Sequence, residues 1–317
     1  MMLHEDEVPG DEALVRALVA EQCPQWGGLP VVAAGAGTDN TMYRVGGGLL
    51  VRLPRTADAA RAARKEREWL PRLAPSLSWP VPEPLYAGVP GAGFPLVWSV
   101  YRWLEGAEAG PDSVRDWAGF GADLAQFVRE LHGADLRGAR RTGELSWYRG
   151  GGLRAVEESI AGRFGECRAL LGGELDLDAL EGLWRDGLAL PEPSGPHGWL
   201  HGDLKPSNLL VRDGRLSAVI DFGCLSVGHP DAEHAPVWDL PPEARRAYRE
   251  ALAPDEATWT RARAWAIAVA VSGIPYYWRT LPAFAAECLA RLRAVLDEVA
   301  GPEADAAAAA WPWPPRA

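Results

Sequence analysis

The 317-residue sequence is 48% hydrophobic and 24% charged, the balance of a globular protein with room for two lobes or two modest domains. Its formal net charge of −11 excludes a general nucleic-acid binder, which needs a basic face to neutralise phosphates, and leaves an acidic surface able to steer a cationic small molecule. Four scattered cysteines, Cys23, Cys167, Cys224 and Cys288, form no C-x-x-C pair, which speaks against a disulfide framework or a zinc site and for reduced thiols in a cytoplasm.

The acidic segment Met1–Gly10 lacks the apolar core of a signal peptide. Asp11–Gln22 then reads as an amphipathic helix, with Leu14, Val15, Leu18 and Val19 at helical spacing. Three strand-like runs follow at Val31–Ala34, Thr41–Val45 and Leu49–Leu53, the last two joined by the turn Gly46-Gly47-Gly48. A charged helix is expected from Ala57 to Leu73. Pro80, Pro82 and Pro84 force an extended stretch, and Phe94–Val100 reads as a buried strand.

Beyond a boundary near Gly106–Pro111 the pattern turns mainly helical. Asp116–His132 places Trp117, Phe120, Leu124, Val128 and Leu131 on one face, with Gly133 as its cap. Further helices are expected over Leu153–Leu171, over Leu177–Leu188 and from Pro242 onward. Between them two short strands, Leu209–Arg212 and Ser217–Ile220, are joined by Asp213-Gly214. The apolar run Ala264–Val271 is too short to cross a bilayer and reads as buried helix. The tail Ala306–Ala317, an alanine run followed by Trp-Pro-Trp-Pro-Pro, is expected to fray. No membrane partner is expected.

The chemistry concentrates in His201-Gly202-Asp203-Leu204-Lys205-Pro206-Ser207-Asn208 and, one hairpin later, Ile220-Asp221-Phe222-Gly223. Phosphoryl transfer to a hydroxyl needs a carboxylate that orients the nucleophile and accepts its proton, and Asp203 is suited to this. It also needs Mg²⁺ across the triphosphate oxygens, a hard cation that takes a carboxylate and an amide oxygen, here Asp221 and Asn208. Asn208 lies five residues after Asp203, and Asp221 thirteen after Asn208, so one short hairpin separates the two ligands. Gly223 lets the backbone turn beyond Asp221.

This pattern resembles the catalytic loop of the protein-kinase-like superfamily. It is most similar to the aminoglycoside and macrolide phosphotransferase family, whose loop reads H-G-D-x-x-x-x-N followed by I-D-[FW]-G. The resemblance implies an α+β, bilobal, protein-kinase-like fold: a nucleotide-binding lobe over residues 1–105, with a small antiparallel sheet and one packed helix, and a larger, mainly helical lobe over 106–317. It implies ATP or GTP as donor and Mg²⁺ as cofactor. Gly37-Thr38-Asp39-Asn40-Thr41 resembles the segment over the nucleotide phosphates. Arg52 stands where the family carries the cation for the α- and β-phosphates, usually Lys, and Glu66 stands where its ion-pair partner lies. Trp98–Gly106 matches the interlobe hinge, so the backbone of Arg102 and Leu104 is expected to meet the purine edge, with Tyr101 or Trp103 either flanking the ring or serving as core. His132 and His201 are expected to be structural. The implied acceptor is an antibiotic-like hydroxyl compound, an aminoglycoside first, with a macrolide, choline or homoserine open. Gly273–Trp278 resembles an acceptor-side segment whose aromatics either stack on substrate or pack between helices.

Relatives commonly continue G-D-P-x-x-D-L where this chain reads Gly228-His229-Pro230-Asp231-Ala232-Glu233-His234. His229 and Glu233 replace acidic positions, and Pro236 interrupts a helical run, which points to a remodelled acceptor side. Two alternatives stay open. A protein Ser/Thr kinase is favoured by Lys205 and by Pro241-Pro242-Glu243, and opposed by Gly202 and by the lack of a glycine-rich loop. A non-catalytic nucleotide-binding module rests only on the altered stretch. Oligomeric state is not legible.

Overall fold

A computed structural model describes residues 6–301; the alanine- and tryptophan-rich tail lies outside the described residues. The chain divides into two compact units. One holds the described residues up to Gly106 together with Ala218–Gly223, and the other holds Ala107–Ser217 and the chain from Cys224 onward. No helix among the described residues is long and apolar enough to cross a membrane.

The first unit opens with α1 (Glu12–Gln22), capped by Asp11, whose side chain accepts the Leu14 N–H at 2.7 Å. Strands β1 (Val31–Ala36), β2 (Asn40–Val45) and β3 (Leu49–Pro54) follow, then α2 (Ala57–Leu73), β4 (Pro84–Gly88) and β5 (Trp98–Arg102). They form one antiparallel sheet in the order β1-β2-β3-β5-β4. Period-two alternation sorts its faces. Val51, Leu53, Trp98 and Val100 join Val15, Leu18 and Val19 of α1 in one apolar cluster. Arg52 and Tyr101, one residue out of phase, reach Glu66 of α2 instead. Helix α2 has the expected bounds, with Thr56 as its cap. Two helices, both at positions the sequence marks as helical, thus flank the sheet.

One expectation here needs correction, and one is sharpened. The buried strand is Trp98–Arg102, not Phe94–Val100; Phe94 sits in a tight turn, exchanging backbone hydrogen bonds with Gly91. The proline-bearing stretch contributes a true strand, β4. It tolerates Pro84 because β4 is an edge strand and the proline is its first residue.

The second unit begins with the two-residue β6 (Ala107–Glu108) and α3 (Trp117–Gly133), capped by Asp116. Helices α4 (Glu157–Leu171) and α5 (Leu177–Ala189) precede β7 (Gly198–Leu200), β8 (Leu209–Arg212), β9 (Arg215–Val219) and β10 (Ser226–Gly228). The β8–β9 turn puts Asp213 at φ +57° and Gly214 at φ +86°, the two left-handed residues of a tight hairpin. β7 pairs with β10, Leu200 opposite Ser226 and Trp199 opposite Val227. Helices α6 (Pro242–Leu252), α7 (Glu256–Tyr277) and α8 (Pro282–Ala300) complete the unit. α7 is its hub, burying Trp259, Trp265, Ile267, Val271 and Ile274. α3 crosses α6 so closely that a Cβ on Gly121 would stand 2.1 Å from the Ala244 carbonyl oxygen.

His132, at the end of α3, and His234 pack edge to face with centroids 5.8 Å apart, and His234 Nδ1 shares a 2.7 Å hydrogen bond with the Tyr248 hydroxyl. Burial holds both imidazoles neutral, lowering His132 to about 4 and His234 to about 3 from an ordinary 6.5. A histidine depressed in the fold adds stability that is full above the unfolded value and is lost as pH falls toward the folded one. His132→Phe removes one such proton-linked site without breaking a hydrogen bond, since His132 Nε2 has no partner among the described residues. We expect urea unfolding at pH 4.5 to show the variant ahead of wild type by about 2 kcal/mol relative to their difference at pH 7. Parallel pH profiles would contradict this.

Candidate active site

The loop from His201 to Asn208 connects β7 to β8 in the second unit. Its backbone is fixed from beneath. The His201 and Gly202 N–H groups donate to the two carboxylate oxygens of Glu233, each at 2.8 Å. Glu233 is buried, which pushes its carboxyl up to about 7, and the two N–H groups oppose that rise. His201 is fully buried and its Nδ1 accepts the Asp203 N–H at 3.2 Å, so the ring braces the loop. Gly202 takes φ +82°, and a Cβ there would lie 2.9 Å from the Cys224 carbonyl oxygen. No L side chain fits that position without strain, which accounts for glycine where protein kinases carry arginine.

Asn208 is buried at the end of the loop. Its Nδ2 donates to the Asp203 carbonyl at 2.8 Å and to Asp203 Oδ2 at 3.3 Å. That fixes the amide orientation and leaves Oδ1 as a hard-oxygen acceptor. Asp203 Oδ1 accepts from Arg149 Nη1 at 3.3 Å, and Lys205 Nζ lies 3.9 Å from Oδ2. Burial pushes the Asp203 carboxyl up, but the Lys205 and Arg149 cations outweigh it and hold the group below its ordinary value. Asp203 is therefore an ionised carboxylate at neutral pH, the form a general base requires.

In the first unit Arg52, buried on β3, donates through Nη1 to both Glu66 oxygens at 2.8 and 3.2 Å and through Nη2 to Asp221 Oδ1 at 3.1 Å. The Tyr101 hydroxyl donates to Glu66 Oε2 at 2.7 Å. Burial works against the Arg52 charge, yet Glu66 and Asp221 raise its pKa above the ordinary value, so it stays cationic. One guanidinium between two carboxylates leaves a net negative charge, and the Asp221 side chain keeps 46% exposure. Asp221 also stands at φ +62°, a conformation few non-glycine residues adopt, just before buried Phe222.

Each unit taken by itself offers a donor type that suits magnesium: an amide oxygen at Asn208 in the second and a partly exposed carboxylate at Asp221 in the first. Among the described residues no group of three or more His, Cys, Asp or Glu is placed to hold a metal. Magnesium commonly takes only one or two protein ligands and completes its shell with phosphates and water.

The hinge residues are less uniform. The Arg102 N–H is already engaged by the Glu83 carbonyl at 2.9 Å, and its side chain pairs with Glu83. The Leu104 N–H has no acceptor among the described residues. Tyr101 is fully buried with its hydroxyl committed to Glu66, so of the two readings left open for it, the core one holds. Trp103 lies under the Arg44 guanidinium, 4.4 Å from its ring centre. In the Gly37–Thr41 segment, Gly37 N–H closes a tight turn on the Asn40 carbonyl.

Sequence reasoning missed Arg149 altogether, and it treated Glu233 only as a departure. Arg149 approaches Asp203 across 54 residues of chain, and its only local mark is a basic residue set before Gly150-Gly151.

A family model described as the phosphotransferase enzyme family matches residues 30–265. A homoserine kinase of Beijerinckia indica subsp. indica is 33% identical over 135 residues, 41% of this chain; the chain thus matches 37% of that relative's length. Among solved structures, the GDP complex of wild-type aminoglycoside 2'-phosphotransferase-IIIa aligns over 94% of this chain and 99% of its own at TM-score 0.70 and 20% identity. The macrolide 2'-phosphotransferase of Brachybacterium faecium aligns over 90% and 98% at TM-score 0.58 and 22% identity. These structural likenesses establish the kinase-like fold.

Gly202→Ala combines left-handed strain with a contact on the Cys224 carbonyl. We expect a loss of about 1–3 kcal/mol of stability by denaturant titration. A variant as stable as wild type would mean the loop is less tightly fixed than its geometry indicates.

Proposed function

This chain belongs to the phosphotransferase enzyme family, and we propose that it transfers the γ-phosphate of ATP or GTP to the hydroxyl of a small-molecule acceptor, with Asp203 as the base. The observation that carries the reading is a half-buried carboxylate kept ionised by Arg149 and Lys205 and anchored by Asn208. In this reading Asp203 accepts the acceptor's hydroxyl proton as that oxygen forms its bond to the γ-phosphorus. The bond from that phosphorus to the β–γ bridging oxygen breaks, and the nucleoside diphosphate leaves. Arg52, held by Glu66, positions the α- and β-phosphates with the N–H groups it does not spend on the two carboxylates. The Leu104 amide and the Arg102 carbonyl are assigned to the purine edge. Asn208 Oδ1 and Asp221 would hold Mg²⁺, which when bound neutralises the triphosphate oxygens.

Each alternative loses part of its sequence support. Pro241-Pro242-Glu243 opens α6 and closes no activation segment. The altered stretch behind the non-catalytic reading is the one whose Glu233 fixes the loop backbone.

Two of the open acceptor classes contrast most in this proposal. The aminoglycoside expectation draws on fold neighbours at about a fifth identity, and a homoserine-like acceptor draws on a relative matched over two fifths of the chain. They differ sharply in charge.

The test pairs calorimetric titration of Mg²⁺ and ATP or GTP with mass spectrometry of an acceptor panel of aminoglycosides, macrolides and hydroxy amino acids. Wild type is expected to bind nucleotide in a Mg²⁺-dependent manner and to add one phosphate to a member of the panel. Asn208→Ala and Asp221→Ala should each weaken the metal-dependent part at least tenfold. Nucleotide binding indifferent to Mg²⁺ in all three proteins would defeat the assignment.

A further inference from the structure

Two charged groups near Asp203 keep donor or acceptor capacity that the phosphoryl-transfer assignment does not use. The first is on α8, which carries Phe284, Glu287, Cys288 and Arg291 at spacings of three, four and seven residues, on one helical face. That face meets the catalytic loop, with Lys205 Nζ 5.3 Å from the centre of the Phe284 ring. Arg291 is committed to Asp239, its Nε donating at 2.7 Å. Glu287 lies between them with no hydrogen bond or ion pair among the described residues. Burial raises its carboxyl, Lys205 draws it back, and the charges of Asp203 and Arg291 also reach it.

The second group is Arg149. Its Nη1 donates to the Gly202 carbonyl at 2.5 Å and to Asp203 Oδ1, and its Nε donates to the Tyr148 hydroxyl at 3.0 Å. Nη2 has no partner among the described residues, and the side chain keeps 16% exposure. Nη2 is thus the one nitrogen of a guanidinium fixed through its other two, and a cationic donor held in place in this way can take a carboxylate oxygen.

The other carboxylates near this loop are spent. Glu233 holds the loop backbone, Asp239 holds Arg291, and Asp231 pairs with Arg261. A polyamino sugar needs several unpaired carboxylates, whereas one anion and one cation edge suit a molecule carrying one charge of each sign.

We propose that the acceptor is a small hydroxylated zwitterion, a short 2-amino hydroxy acid, whose carboxylate binds Arg149 Nη2 and whose ammonium binds Glu287 while its hydroxyl faces Asp203. This rests on Asp203 as the base. The hydroxyl proton passes to Asp203, the oxygen takes the γ-phosphorus, and the nucleoside diphosphate leaves with the bridging oxygen.

The test measures kcat/KM with Mg²⁺ and ATP or GTP for 2-amino hydroxy acids of three to five carbons. The comparators are their primary amides, the matching hydroxy acids without the amine, and an aminoglycoside. Asp203-dependent nucleotide hydrolysis without acceptor is read in parallel. We expect at least one zwitterion to exceed its amide and its amine-free analogue by tenfold or more, because each analogue leaves a site group unpaired. Glu287→Gln should raise KM for the zwitterion at least tenfold, leave nucleotide KM unchanged and erase the preference over the amine-free acid. Arg149→Lys should erase the preference over the amide, a ratio that general damage to the loop does not move. Preference for the aminoglycoside, or no acceleration by any zwitterion while Asp203-dependent hydrolysis persists, overturns the inference alone. Loss of that hydrolysis signal in wild type, with no phosphorylated product from any acceptor, overturns the kinase reading beneath it.

Discussion

Taking a carboxylate even partly out of water costs free energy unless neighbouring charge and hydrogen bonds replace the lost hydration, and the geometry around half-buried Asp203 answers that constraint. Arg149 and Lys205 supply the charge, and the Asn208 amide supplies a donor. Each of these needs the loop backbone in one shape. Gly202 permits the left-handed turn, His201 caps the Asp203 N–H, and Glu233 takes the two N–H groups before it. The β7–β10 pair delivers both ends of that arrangement, since Leu200 leads into His201 and Ser226 follows closely on Cys224. The loop is therefore determined by contacts distant in sequence, although its own residues are contiguous.

The first unit solves a related problem with the opposite sign. Arg52 is a buried cation, and a buried cation persists only if paired. Glu66 and Asp221 hold it, and Tyr101 spends its hydroxyl on Glu66, so a four-residue polar network sits on the α2 face of the sheet. Arginine serves this network better than the family's usual lysine would. Its forked donors reach two carboxylates at once, where an ammonium acts as a point charge.

Much of this was legible in the sequence where the signal is local. α2 was readable from its charged periodicity between Thr56 and Leu73, and the β2–β3 hairpin from its glycine turn. The spacing of Asp203, Asn208 and Asp221 is fixed by one loop and one hairpin, so their positions could be picked out directly. Three-residue strands such as β7 and β10 carry no periodicity to read. The strand expected at Phe94 moved because an apolar residue in a turn resembles one in a strand. Arg149 stayed hidden and Glu233 was read only as a departure because their partners lie tens of residues away, and a lone charge in a polar stretch looks like surface. Glu233 was misleading in a further way. Its replacement of an aspartate suggested a change on the acceptor side, yet its carboxylate reaches inward to the loop backbone.

The central claim is that Asp203 is the proton acceptor in phosphoryl transfer and contributes little to nucleotide affinity. The direct measurement is single-turnover transfer by Asp203→Asn beside its Mg²⁺-dependent nucleotide Kd. The account predicts a transfer rate lower by about 10²–10⁴-fold with Kd unchanged within about threefold. Transfer at the wild-type rate, or a loss of transfer explained entirely by lost nucleotide binding, would contradict it.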